Sequence, residues 1–272
     1  MIPQLAFFVN VVAGAISAYT DIKTGYIYDW ITYPLIVIGI ILTIITQQWI
    51  GLLLAGLIYG VGWLAYRSGK MGGGDIKLLA GIALVQPTYE GMVFPLAVLL
   101  IGALSACMVF CMYYVGGFLV SKPKIHWNTP RKKGAGILLV VFIALFLYMN
   151  AQLPAGGITL LLLEIAMILG LIFYAFEDEV KKHAFLKRIP LSELEDDEVL
   201  AIEHLTKEEK EKWGTKINDL ISREDIPALK HKGLTTIPVY RNLPKFAPFL
   251  LTGILATYLF PEWISQIVPS FL

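Results

Sequence analysis

Three glycines run into an acid in Met71-Gly72-Gly73-Gly74-Asp75-Ile76-Lys77, and an apolar stretch follows at once. A carboxylate there is costly in apolar surroundings unless chemistry requires it. A second acid, Asp21, closes an earlier apolar run in Tyr19-Thr20-Asp21-Ile22-Lys23-Thr24-Gly25-Tyr26-Ile27-Tyr28-Asp29. Two carboxylates near enough to share a proton can divide the work of hydrolysis. One draws a proton from water while the other, protonated, polarises a carbonyl oxygen. The pair then titrates in two joint steps rather than as two independent acids. Gly72 and Gly74 suit this chemistry, because glycine permits positive φ and lets another backbone approach closely, as an extended substrate must. The bland alternative is a helix start with an acid in its first turn, which the helix dipole favours.

Other charged and nucleophilic residues sort by context. Gly-rich backbone followed by Lys77 suggests a phosphate loop, but that pattern needs Gly-Lys-Ser/Thr and no acid where the anion would sit. Lys77 reads instead as a snorkelling anchor at the membrane face, able to bias the acid pair. Asp29 competes for a catalytic role and also reads as the N-cap of a helix from Trp30 onward. Of the 21 acids, 15 fall within 177–225, and Glu90 and Glu262 fall in outer loops. Glu164 lies mid-way along an apolar run, Leu161-Leu162-Leu163-Glu164-Ile165-Ala166, with no partner visible in the sequence. Cys107 and Cys111, four apart, supply neither a zinc tetrad nor a disulfide framework, so no metal or other cofactor is expected.

The elements that must position these acids are membrane helices. The 272-residue chain is 57% hydrophobic and 16% charged, with a mean hydropathy of +0.68. Soluble domains carry about 25% charged residues. Apolar runs at about 2–20, 30–47, 50–67, 75–87, 91–119, 135–151, 156–176 and 246–262 predict eight crossings. The first run lacks a basic leader segment and continues into Asp21 and Lys23, so it reads as a span rather than a cleaved signal. Threaded this way, all 22 Lys and Arg fall on one side, which the positive-inside rule makes the cytoplasm. Both termini are then outside. Asp21 and Asp75 share one depth at the cytoplasmic face. Run 75–87 is short, so glycine-rich backbone surrounded by protein is expected to carry part of that crossing.

The predicted fold is an all-α polytopic bundle of about eight spans with a small helical cytoplasmic domain. Its divisions are a membrane catalytic part at 1–177, the cytoplasmic domain at 178–243, a last span at 244–262 and an extracytoplasmic tail at 263–272. Ser192-x-x-Glu195 and Thr206-x-x-Glu209 have capping-box form. The mixed charges of Lys207 to Lys216 read as a solvated helix face. The lipid bilayer is an expected partner, and nucleic acid is not.

Gly72-Gly73-Gly74-Asp75-Ile76-Lys77 resembles the Gly-x-Gly-Asp-x-Lys motif of the archaeal type IV prepilin (preflagellin) peptidases, membrane aspartyl proteases of the GxGD class. Asp21, Lys23 and Ile27-Tyr28-Asp29 are similar to that family's first motif. Leu243-Pro244-Lys245-Phe246-Ala247-Pro248-Phe249-Leu250 is similar to the segment opening its last helix. The resemblance covers about 1–120 and the last thirty residues. It implies that Asp21 and Asp75 are the catalytic pair and that the substrate is the short basic leader of a prepilin or prearchaellin, cut at the cytoplasmic face. Gly72, Gly74, Lys77 and Asp29 would then border the substrate's approach. The spans within 135–176 exceed the family's six-span pattern, and its bacterial members' zinc-binding cysteines and methylation are not expected. A rival class is a proton- or cation-coupled transporter using Glu164, Asp21 and Asp75. Transporters usually show internal pseudo-symmetry, and no matching glycine break occurs in the second half.

Overall fold

The computed structural model describes residues 2–69, 71–121, 127–152, 157–196, 198–213 and 220–265. As the apolar runs predict, the chain is mostly helical. Helix α1 (Ile2–Thr24) stops at Gly25, whose φ of +82° only glycine adopts easily and whose N–H closes on the Asp21 carbonyl at 2.9 Å. Helix α2 (Asp29–Thr46) ends at Gln47, in the left-handed conformation, and α3 (Ile50–Arg67) returns. Helix α4 (Gly73–Val85) begins at the glycine run. A tight hairpin, β1 (Thr88–Tyr89) and β2 (Met92–Val93), turns on Glu90 and Gly91, both at positive φ. Helix α5 (Phe94–Phe110) then continues through a π-turn at Cys111–Val115 into α6 (Gly116–Val120).

Helices α7 (Pro130–Gln152) and α8 (Gly157–Val180) form a further long pair, with α8 packed on α5. Helix α11 (Ala247–Leu259) and the short α12 (Pro261–Ile264) follow the polar region. Four of the described helices, at Gln4–Thr24, Asp29–Thr46, Ile50–Arg67 and Phe94–Val120, are long and apolar enough to cross a membrane. An outer turn is expected around Asn150-Ala151-Gln152, but those residues continue α7 to its end; most of the tail at 263–272 lies outside the described residues.

Helix α4 sits at the centre. It packs on α1, α2 and α3, and Ile76 and Leu78 through Val85 are all buried. Thirteen residues rise roughly 20 Å, less than the roughly 30 Å of hydrocarbon a bilayer presents. A helix this short and apolar all round is satisfied by protein neighbours rather than lipid.

Glycines set how near those neighbours come. A Cβ on Gly39 would meet Leu84 Cβ at 2.5 Å, and one on Gly253 would meet the Val98 carbonyl oxygen at 2.2 Å. Helix α11 is thereby drawn between α1 and α5. Gly56 and Gly60 of α3 have open space instead, on a face shared with exposed Leu53, Leu57 and Leu64.

The polar region corrects one expectation, that of a small helical domain. Its core is a four-stranded antiparallel sheet of order β3-β6-β4-β5, from β3 (Leu186–Pro190), β4 (Glu198–Leu200), β5 (Leu220–Ile221) and β6 (Thr236–Tyr240). The cause is tertiary. Ile237 and Val239 are fully buried with Ile189, Leu200 and Ile221 under short helices α9 (Lys207–Trp213) and α10 (Ile226–His231).

The Thr206 capping box forms: Thr206 N–H donates to Glu209 at 2.7 Å, and Glu209 N–H donates to the Thr206 hydroxyl at 3.2 Å. At the other expected box, Leu191–Glu193 make a single 3₁₀ turn. A box that sequence reading overlooked joins Ser222 and Asp225.

Two outcomes test this packing. Gly253→Ala should cost about 1–3 kcal/mol through overpacking and lower the thermal midpoint in detergent, whereas Gly56→Ala, with open space in mid-helix, should hold or raise it; equal midpoints in the two variants would contradict the close approach of α11 to α5. In the polar domain, Arg188 beside Glu209 holds that carboxyl down at about 2, against an ordinary 4.5, helped by the Thr206 N–H. A depressed carboxyl stabilises the fold above its unfolded value, and that contribution is lost as pH falls through the folded one. Amide protection in β3 should therefore weaken between about pH 4.5 and 2, less so in Arg188→Ala.

Candidate active site

Asp21 lies one turn from the end of α1 and is only 7% exposed. A carboxylate so enclosed needs donors, because burial without compensation costs several kcal/mol, roughly. The donor comes from far along the chain: the backbone N–H of Ala247, 226 residues away, donates to Asp21 Oδ2 at 3.1 Å. Ala247 opens α11, so the acid sits at a helix N-terminus, where free N–H groups and the helix dipole both favour negative charge. Lys245, two residues earlier, adds a positive charge that Asp21 senses. Its ammonium lies over Gly25, 3.0 Å from where a Cβ on that residue would stand.

Asp75 lies in the first turn of α4, three residues after the Gly72 N-cap. Its Oδ1 is buried with no hydrogen-bond partner among the described residues. Helices α1 and α4 pack directly, and Asp75 senses the charge of Asp21. Asp21 and Asp75, expected at one depth from the charge pattern, thus stand on adjoining helices, near the end of α1 and the start of α4.

The residues around the pair have specific neighbours. Gly74 meets the chain's own α1–α2 loop: a Cβ there would stand 2.7 Å from Ile27 Cβ and 3.1 Å from its carbonyl oxygen. Close backbone approach at Gly74 is real, and the segment approaching is Ile27. A Cβ on Gly72 would meet Asp75 Oδ2 at 2.9 Å, so a larger residue there would press on the acid itself.

The N-cap reading of Asp29 is corrected, because Tyr28 holds the cap position and Asp29 is the first residue of α2. Its carboxylate pairs with Lys77 Nζ at 2.6 Å, and that ammonium also lies 5.0 Å from the centre of the Tyr33 ring. Lys77 therefore ties the start of α2 to α4 beside the acid pair. On the same loop, the Tyr26 hydroxyl donates to Glu195 Oε2 of the polar domain at 3.2 Å.

Sequence reasoning missed three contributors. In the sequence Lys245 stands out only as part of the segment Leu243 to Leu250, and the contact of Tyr26 with Glu195 has no local signature. Ser17, one helical turn before Asp21, is fully buried with no hydrogen-bond partner for its hydroxyl among the described residues. A polar residue one turn from an acid in an apolar helix was the available signal. Cys107 and Cys111 stay apart from the acids: the Cys107 thiol donates to the Ala166 carbonyl at 3.5 Å, and Cys111 is buried. Among the described residues, no three His, Cys, Asp or Glu side chains converge as a metal site would require.

Both acids and the loop between α1 and α2 fall inside one region of family similarity. Residues 8–111 match the type IV leader peptidase family. The leader peptidase match supports the resemblance read from the two aspartate motifs and stops short of the α7–α8 pair and the polar domain. The chain is also 27% identical over 139 residues to prepilin peptidase EppA from Methanothermobacter thermautotrophicus. That similarity covers 42% of this chain and 36% of the relative, so only about a third of the relative's length is spanned. No solved structure matches the chain.

The tether between Asp21 and α11 predicts a local signature independent of any activity. In Asp21→Ala the Ala247 amide should exchange with solvent faster than in the wild type, while Asp75→Ala should leave its protection in place. Unchanged exchange in Asp21→Ala would show that the amide has another acceptor.

Proposed function

We propose that the chain is a membrane aspartic endopeptidase that removes the short basic leader of type IV prepilins or prearchaellins at the cytoplasmic face. The observation that carries this reading is the meeting of Asp21 and Asp75, delivered by α1 and α4 to one end of the bundle. The leader peptidase similarity across 8–111 and the relative named prepilin peptidase support the substrate class. The concentration of lysine and arginine at this end supports a cytoplasmic active site with both termini outside.

The chemistry needs no other group. One aspartate, ionised, takes a proton from water as the water oxygen bonds to the scissile carbonyl carbon. The other, protonated, donates to the carbonyl oxygen, giving a gem-diol. In the second half the first acid returns its proton to the amide nitrogen as the C–N bond breaks. The second recovers a proton from one diol hydroxyl, and the starting state is restored. Preorganisation of the pair between three packed helices lowers the cost of bringing the groups together. The contact of the polar domain with the α1–α2 loop, through Glu195 and Tyr26, supports a role for it in holding the leader near this site.

Membranes carrying the wild type should cut the leader from a prepilin. Asp21→Ala and Asp75→Ala should each lower cleavage about 100- to 10,000-fold, the range expected for a general acid or base. Glu164→Gln should cleave normally. Full cleavage by either aspartate variant would falsify the dyad, and an inert wild type would remove the peptidase reading altogether.

A further inference from the structure

The two aspartates are chemically alike but not equivalently housed. Asp21 Oδ2 accepts the Ala247 N–H at 3.1 Å, at the N-terminus of the 13-residue helix α11. Asp75 Oδ1 is buried and meets no donor among the described residues. A helix N-terminus supports a carboxylate, whereas a buried oxygen without donors supports the neutral acid.

The remaining charges around Asp21 sharpen the contrast. On α4, Lys77 is paired with Asp29 of α2 and sits against Tyr33. On α1 itself, Lys23 donates to the Tyr19 hydroxyl at 3.2 Å and lies on the exposed side. From the segment leading into α11 comes Lys245, whose ammonium lies over Gly25, one helical turn beyond Asp21. From α4 comes Asp75, the other acid of the pair, which senses the charge of Asp21.

We infer that Lys245, with the first N–H groups of α11, divides the labour of the pair: Asp21 is held as the carboxylate that deprotonates water, and Asp75 as the acid that protonates the scissile carbonyl oxygen. Lys245 is a positioning residue in this scheme, because it acts through Asp21. The assignment rests on the peptidase reading and goes beyond it, since hydrolysis by the pair requires only that one acid be ionised and does not say which.

The test is the pH dependence of kcat/KM for leader cleavage by the full chain in membranes. Lys245→Met removes the charge while keeping a stem of similar length. Its acid limb should move toward higher pH by about one unit, the lower end of what a nearby opposite charge contributes. Cleavage on that limb then falls about tenfold at a fixed pH. Lys245→Arg should restore the wild-type profile.

A purely structural role for Lys245 would lower the thermal midpoint or the yield without moving the limb. An acid limb that stays in place in folded Lys245→Met, or that moves equally in Lys245→Arg, overturns the assignment and leaves the peptidase reading standing. A wild type that cuts no prepilin overturns both. The three outcomes are distinguishable because wild-type activity is read first and the limb position second.

Discussion

The structure depends on how a buried carboxylate is satisfied where water is scarce. Asp21 could not stay ionised among apolar side chains without a donor, and α1 cannot supply one, since its own N–H groups are spent on the helix ladder. The donor must be the free N–H of another helix end. Helix α11 supplies it, and Ala247 is held in place because Gly253 and Gly102 let α11 lie directly against α5. The glycines of α5 and α11 therefore belong to the site as much as the acids do. Without the close approach of Val98 and Gly253 the start of α11 would stand elsewhere.

Helix α4 poses the complementary problem. It is too short to cross a bilayer alone and too apolar to meet water, so it is packed on α1, α2 and α3. That enclosure fixes Asp75 with little room to move. It also shapes the loop that passes over it, because Ile27 can reach Gly74 only where the glycine has no side chain. The ion pair of Lys77 and Asp29 adds a polar latch at the rim, partly open to solvent and so worth little alone, on the order of 0–1 kcal/mol. Its effect is to fix register rather than to supply stability.

Much of this was legible in the sequence where the signal was long or sign-dependent. The apolar runs predict helices, and the placement of lysines and arginines alone predicts that Asp21 and Asp75 share one end. What escaped was short or distant. A hydrogen bond across 226 residues leaves no periodic trace, so the donor to Asp21 was unreadable although the segment around Lys245 and Ala247 drew notice. The sheet was missed because its strands are two to five residues long. Charges interrupt Leu186-Lys187-Arg188-Ile189, and Pro238 masks the β-branched pattern of Thr236-Ile237-Pro238-Val239-Tyr240. Asp29 reads locally as an N-cap, yet it is the first residue of α2, and its partner Lys77 lies 48 residues away.

The order of these parts along the chain carries a consequence for biosynthesis. Helices α1 to α4 enter the membrane early and bring both acids with them, yet the groups that support Asp21 arrive only with residues 245–247. Until α11 inserts, Asp21 faces its neighbour without its donor. A half-made chain therefore holds Asp21 without the donor that favours its ionised form. On the peptidase reading the pair is complete only once α11 stands beside α1, so a chain stopped before Ala247 holds both acids yet lacks the support of the one that must be ionised.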